Sequence, residues 1–332
     1  MTKTMPHEGF TAFVRRHDGF LITSHVDPDA DAAGSCLGLA HSLRQIGKVA
    51  EVVLEAPLPK ALAFLPGSES VRTSAEVARR YEAAFVLDCS SLDRVGHVAE
   101  LCLTPGAAIA VIDHHWGHEM FGDPRLVNVE ASATAELVYE VIGHLGMPLL
   151  PEAAECLYAG LFSDTGGFRH QNTTPRALRL AARLLERGAR APRVAEALFA
   201  TKTKQSLKIL GLALASLETR GGGSVGALTI SREMFETAGA TPEDADGIVQ
   251  YAKSLIGARV GMLIQEVGPQ DIRVSLRSDG SVDVNELAGR FGGGGHKVAA
   301  GLRVRGDLQK VREDLFAALE QVMDGGPPPS RG

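Results

Sequence analysis

Three predicted strands in the first half of this 332-residue chain each run straight into acids or histidines. Phe20 to Thr23 leads into Ser24-His25-Val26-Asp27-Pro28-Asp29-Ala30-Asp31, Ala84 to Leu87 into Asp88, and Ala108 to Ile112 into Asp113-His114-His115. A further strand is predicted at Ala50 to Leu54, and helical patterns fall near Ala32–Ile46, Ala133–Leu145, Pro151–Leu161 and Pro175–Arg187. The first helix carries Leu39, Leu43 and Ile46 on one face and stops at Gly47. The last opens on Thr174 as N-cap with Pro175 at the first helical position. Such alternation argues an α/β fold, a parallel sheet with helices on both faces. Ligands of open sheets bind beyond the carboxyl ends of the strands. One rim therefore receives all three clusters, and the helix after Pro151 adds Ser163-Asp164-Thr165-Gly166-Gly167.

The rhythm changes later. Ala191 to Glu218 reads as helical, with Leu207, Leu210, Leu214 and Leu217 on one face, and Gly221 to Gly223 breaks it. Then follow a strand at Val225–Ile230, a helix at Pro242–Ile256 and a hairpin of Arg259–Val267 with Ile272–Arg277. A helix at Val284–Phe291 and a strand at Leu302–Val304 complete a smaller α+β domain. The expected division is residues 1–188, a helical connector 189–220, a second domain 221–324, and a frayed Gly/Pro-rich tail 325–332.

Aspartates at strand ends often serve only as helix caps or turn residues. Here Asp29, Asp31, Asp88 and Asp164 would crowd one rim, and like charges so placed repel strongly unless cations are present. A dinuclear metal site resolves that repulsion. The formal charge is −6, from 34 Lys/Arg and 40 Asp/Glu. That does not favour a duplex-coating protein, but bound cations reverse the local sign for a small phosphorylated substrate. Cys36, Cys89, Cys102 and Cys156 include no C-x-x-C pair and read as reduced, buried thiols. No apolar run approaches the roughly 20 residues of a membrane span. With no signal segment visible in residues 1–10, a soluble cytoplasmic protein is expected.

His25-x-x-Pro28-Asp29-x-Asp31, Asp88, Asp113-His114-His115 and Asp164 resemble the four motifs of the DHH phosphoesterases. Ala30 stands where glycine is common. Gly292-Gly293-Gly294-Gly295-His296 resembles the glycine-rich signature of the DHHA1 domain. The resemblance implies a parallel-sheet DHH catalytic domain joined by a helical connector to a DHHA1 substrate-binding domain. It implies that His25, Asp29 and Asp88 hold one metal, and that Asp31, Asp88, His114 and Asp164 hold the other, with Asp88 bridging. Asp113 would orient a histidine, and His115 would face the substrate phosphate. Mixed imidazole and carboxylate ligands suit Mn²⁺ and permit Mg²⁺, Co²⁺ or Fe²⁺, and the resemblance favours Mn²⁺. Two ions roughly 3.5–4 Å apart share a water, lower its pKa and hold it in line with phosphorus. No serine or cysteine nucleophile is then needed.

Four consecutive glycines allow close backbone approach to a ligand and point N–H groups at a phosphate. Beside them stand His296 and Lys297, and from Tyr251 to Arg305 basic residues outnumber acids eight to five. With the resemblance to the DHHA1 signature this makes Gly293, Gly294, Gly295 and His296 candidate substrate contacts; Arg277, in Ser275-Leu276-Arg277-Ser278, resembles a substrate contact of the family, and Arg169 is a further candidate. The two-domain layout resembles the oligoribonuclease (nano-RNase) and pAp phosphatase branch, which implies short RNA oligonucleotides, pAp or other small nucleotides as substrates. Few aromatics, 5% of residues, weaken the case for long single strands. The alternatives are a cyclic di-AMP or pApA phosphodiesterase and a catalytically dead nucleotide-binding module. Exposed helices of the first domain could pair two chains into a homodimer.

Overall fold

The computed structural model describes residues 6–323, so the Gly/Pro-rich stretch 325–332 lies outside the described residues. Two compact units divide at Thr201 and Lys202. The first is built on β1 (Gly19–Thr23), β2 (Val49–Leu54), β3 (Arg72–Thr73), β4 (Tyr81–Leu87), β5 (Leu103–Asp113) and β6 (Arg125–Val127). Its helices are α1 (Pro6–Arg16), α2 (Ala30–Gln45), α3 (Val98–Cys102), α4 (Thr134–His144), α5 (Pro151–Asp164), α6 (Pro175–Glu186) and α7 (Ala191–Ala195).

The strand order β3-β2-β1-β4-β5-β6 is parallel throughout. Side chains alternate across each strand, so Phe20 and Ile22 enter one core and Leu21 the other. Both faces are covered, unequally. Helices α1, α2, α4, α5 and α6 contribute to the larger core, whereas α3 and the turn around Val95 cover the opposite face. The chain leaves β1 toward one edge and later returns through β4 toward the other. The switch point of the sheet thus lies between β1 and β4.

Helix α2 is buried nearly all round because α5 crosses it closely. A Cβ added to Gly34 would lie 2.4 Å from the Cys156 carbonyl oxygen, and one on Gly38 would lie 2.7 Å from Leu157. Glycine is what lets these helices meet. At the far side of α5, Glu155 is 1% exposed. It accepts from Arg190 at 2.6 and 2.9 Å and from Arg193 at 2.8 Å, which ties α5 to the segment entering α7. The double substitution Arg190→Ala with Arg193→Ala strands that buried carboxylate without a counter-charge. We expect Tm to fall by at least about 4 °C, read by circular dichroism, and by less in Glu155→Gln. An unchanged Tm in the double variant would exclude this tie as a source of stability.

The second unit is a mixed sheet, β11-β12-β10-β9-β8-β7, built from β7 (Glu218–Arg220), β8 (Val225–Ile230), β9 (Val260–Gly268), β10 (Asp271–Ser278), β11 (Gly294–His296) and β12 (Ala299–Arg305). Only the β8–β9 pair is parallel. Helices α11 (Val284–Arg290) and α12 (Leu308–Met323) cover one face; α8 (Lys204–Ala215), α9 (Arg232–Ala238) and α10 (Val249–Lys253) cover the other.

Several elements depart from the sequence expectation. The stretch expected as connector is shared out, because α7 packs in the first core through Val194 while α8 buries Ile209 and Ala213 in the second. The helix expected at Pro242–Ile256 is broken. A 3₁₀ turn at Pro242–Ala245 and α10 are separated by Gly247 at φ +82°. The final strand is longer than Leu302–Val304 because it pairs on both sides, with β10 and β11. Among the described residues no helix is long and apolar enough to cross a membrane.

Candidate metal centre

The carboxyl ends of β1, β4 and β5 bring their clusters together as neighbouring strands must. After β1, Val26 N–H donates to the Arg94 carbonyl (2.8 Å) and holds the loop that carries His25. Asp29 then caps α2, its Oδ1 accepting from the N–H groups of Asp31 and Ala32 at 2.9 and 3.0 Å. The capping role is real, and it leaves Oδ2 to face the centre. Asp88 follows β4 with φ +54°, a left-handed conformation that strains most side chains but that Asp tolerates better than most. Its own N–H donates to the Ile112 carbonyl (2.9 Å), locking it to β5.

Asp88 is the hub. Its Oδ2 lies 3.7 Å from His25 Nε2, and its Oδ1 lies 3.7 Å from His114 Nε2 and 3.4 Å from His115 Nδ1. His114 Nε2 also faces Asp164 Oδ2 at 3.3 Å and Asp31 Oδ2 at 4.0 Å, while His114 Nδ1 sits 3.3 Å from the Ala131 carbonyl. Three donor groups result whose atoms lie within 4.8 Å of one another: His25, Asp29 and Asp88; Asp31, His114 and Asp164; and Asp88, His114 and His115. In the third, His115 Nδ1 is already engaged by Asp113 Oδ1 at 2.7 Å. Asp113 is fully buried, and that same oxygen accepts from the N–H groups of His114 and His115, so it stiffens the whole turn.

Sequence reasoning missed the groups that hold these ligand candidates. The first turn of α4 clasps Asp31: Thr134 and Ala135 N–H donate to its two oxygens at 2.6 and 2.9 Å, and Ser35 Oγ adds 3.3 Å. Anions sit well at helix N-termini. Thr134 Oγ1 donates to Asp88 Oδ1 (2.8 Å). Asn172 Nδ2 donates to the carbonyls of Asp164 (3.2 Å) and Ser132 (2.9 Å), fixing the loop after α5. A threonine opening a predicted helix was the one visible signal; the contacts themselves span about a hundred residues.

Among the described residues no lysine or arginine pairs with Asp29, Asp31, Asp88 or Asp164. Burial, reinforced by Asp88 and Asp29, pushes Asp31 well above the ordinary value of 3.8. Burial and then Asp31, Asp29 and Asp88 do the same to Asp164, and burial with Asp88 raises Asp29, although its side chain opens to solvent. Burial alone would raise Asp88 too, but His25, His115 and His114 outweigh it and bring Asp88 to about 2. His115, despite burial, is raised to about 9 by Asp113 and Asp88. Carboxylates that resist ionisation together, beside imidazole nitrogens, fit divalent cations by chemistry as well as by distance.

A stability prediction follows, with its sign set by the shifts. In metal-free protein, Asp29, Asp31 and Asp164 retain protons that the unfolded chain releases, so stability falls as pH rises from 3.8 through their raised values. Asp88 acts oppositely, and its contribution is lost only as pH drops toward about 2. Metal binding displaces those protons. The gain in Tm on adding Mn²⁺ after chelation should therefore grow from about pH 4 to pH 8. A gain that is flat or shrinks with pH would contradict the coupled cluster.

The candidate substrate contacts are scattered. Arg169 is exposed, its Nε donating to the Gly166 carbonyl (2.6 Å) and its guanidinium 5.4 Å from the Phe199 ring. In the second unit Arg277 is half-buried and donates to the Leu276 carbonyl at 2.9 Å. Gly294 to His296 form the exposed edge strand β11. Part of the glycine run answers to packing: a Cβ on Gly293 would lie 2.3 Å from the Gly301 carbonyl oxygen, and one on Gly295 2.5 Å from that of Ala299.

Residues 19–161 match the DHH family N-terminal domain, and residues 168–325 match the DHHA1 domain. The bifunctional oligoribonuclease and PAP phosphatase NrnA of Thermus thermophilus is 34% identical over 303 residues, 91% of this chain and 89% of that protein. The chain belongs to the DHH/DHHA1 family. The protein of the same description from Bacillus subtilis is 31% identical, covering 87% of this chain and 90% of its own. Among solved structures, an exopolyphosphatase-related protein from Bacteroides fragilis superposes with a TM-score of 0.91 at 27% identity, covering 98% of this chain and 99% of its own. RecJ from Thermus thermophilus, solved with Mn²⁺, shares the fold at a TM-score of 0.57 and 16% identity, covering 98% of this chain and 55% of RecJ.

Proposed function

We propose that this DHH/DHHA1 protein is a cytoplasmic phosphoesterase that hydrolyses short oligoribonucleotides to mononucleotides and removes the 3′-phosphate of pAp, with Mn²⁺ as its metal. One observation carries the reading: two donor groups meet at Asp88, at the switch point of the sheet. Relatives described by that activity, alike over some nine-tenths of the chain, support it. We assign His25, Asp29 and Asp88 to one ion and Asp31, Asp88, His114 and Asp164 to the other. Two divalent ions held there supply Lewis acidity, activating water and neutralising phosphoryl charge.

The rest is the work of the chain's own residues. Asp88 accepts from Thr134 Oγ1, which fixes how its two oxygens are shared between the donor groups. Asp113 Oδ1 accepts a hydrogen bond from His115 Nδ1 and stabilises the positive imidazolium, which we assign to the substrate phosphate. Asp31 is held on a helix N-terminus, so it keeps its orientation as charge moves nearby. We assign Arg277, Gly293, Gly294, Gly295 and His296 to substrate binding in the second unit, and Arg169 to a secondary contact.

The test is product analysis with Mn²⁺ of the dinucleotide pApA, of pAp and of cyclic di-AMP, using Asp88→Asn as blank. Turnover of pApA and pAp with the cyclic form intact is the expected result. Opening of the cyclic form at comparable rate, or no turnover of any, would overturn the reading.

A further inference from the structure

The chain has one tryptophan, Trp116, and it directly follows His115. It is 72% exposed. Its ring, apolar in body with one polar N–H, offers a broad face of the kind enriched where proteins meet ligands. The loop is not slack, because the residues after Trp116 are tied down at several points. Glu119 N–H donates to the Ser90 carbonyl (2.9 Å), just beyond Asp88, and Asp123 N–H to that of Ile109 (2.8 Å). His118 stacks on Phe121 with centroids 5.0 Å apart and planes 4° from parallel. Its Nδ1 accepts from Met120 N–H (2.8 Å), and Arg125 bonds the carbonyls of Met120 and Gly122. The tied loop carries a solvent-facing indole next in sequence to the carboxylate–imidazole cluster.

We propose that Trp116 is a nucleobase platform: a base of the substrate stacks on the indole while the adjoining phosphoester lies at the cluster. The assignment rests on the nucleotide-substrate reading above. Stacking on an aromatic face is tolerant of base identity, which suits an enzyme that degrades mixed sequences. A single ribose separates base from phosphate, and a single peptide unit separates Trp116 from His115. Among the described residues of the first unit Phe199 is the other exposed aromatic, but Arg169 covers its face and Phe162 meets it edge-on at 5.4 Å. Trp116 carries no such cover.

Because the tryptophan is unique, its fluorescence reads the contact directly. In the Mn²⁺-loaded protein, adenosine 5′-monophosphate should quench emission saturably, whereas ribose 5-phosphate should not. In steady-state assays Trp116→Ala should raise KM for a dinucleotide roughly 5- to 100-fold, with the loss falling in KM rather than kcat. Trp116→Phe and Trp116→Tyr should recover most of it. Equal quenching by the two ligands, or a KM for Trp116→Ala within twofold of the parent, would overturn the platform while wild-type turnover of the dinucleotide left the nucleotide reading standing. Absence of wild-type turnover would overturn that reading, and the platform with it.

Discussion

Asp88→Asn is expected to reduce hydrolysis by on the order of 10³-fold or more, with the fold retained. Asparagine is the informative replacement because it tolerates the φ of +54° at this position, whereas alanine would add backbone strain to the loss of charge. The oxygen that Thr134 Oγ1 reaches can still accept, so the local packing survives. What disappears is a carboxylate that belongs to two of the three donor groups and is already ionised at neutral pH. The rise in Tm on adding Mn²⁺ should shrink alongside activity. Near-normal turnover in this variant would refute the shared-ligand assignment, whatever its Tm.

Gly160→Ala should be nearly as damaging, though it touches no charge. A Cβ there would stand 2.6 Å from Asp31 Oδ1, 3.1 Å from Asp31 Cα and 3.0 Å from Ala135 Cβ. The neighbours are backbone and a clasped carboxylate, so α2, α4 or α5 must shift. Overpacking of this kind costs about 1–3 kcal/mol, and here the strain falls on the helix N-terminus that orients Asp31. We expect hydrolysis to drop by about 10- to 100-fold and the apparent Mn²⁺ affinity to weaken with it. Gly211→Ala on α8 is the control, since a Cβ there meets nothing within 4 Å and alanine favours a helix. Equal activity in the two variants would show that the crossing of α2 and α5 does not position Asp31.

The sequence made the donors legible and concealed their supports. His25, Asp88 and His114 announce themselves because strand ends in a parallel sheet must lie side by side, so short local patterns suffice. Thr134 and Gly160 act on Asp31 and Asp88 through contacts far apart in the chain, and neither residue type is unusual in a helix. Asp29 caps α2 through one oxygen and also lies in a donor group with His25 and Asp88, so the bland reading of a strand-end aspartate does not exclude the other. In the second unit, Gly247 hid a break inside an otherwise helical pattern. The glycine run was legible as a close approach of backbone, but the backbone approached at Gly293 and Gly295 is that of β12.

The parallel sheet has a consequence for the order in which this protein comes into being. His25 lies near the start of the first unit and Asp164 at the end of α5, with the α4 clasp on Asp31 between them. Parallel neighbours pair only after long crossovers have been closed. A growing chain therefore leaves the ribosome with half its 332 residues made before its last donor can join the others. The nascent polypeptide emerges with the hydrolytic centre still in pieces.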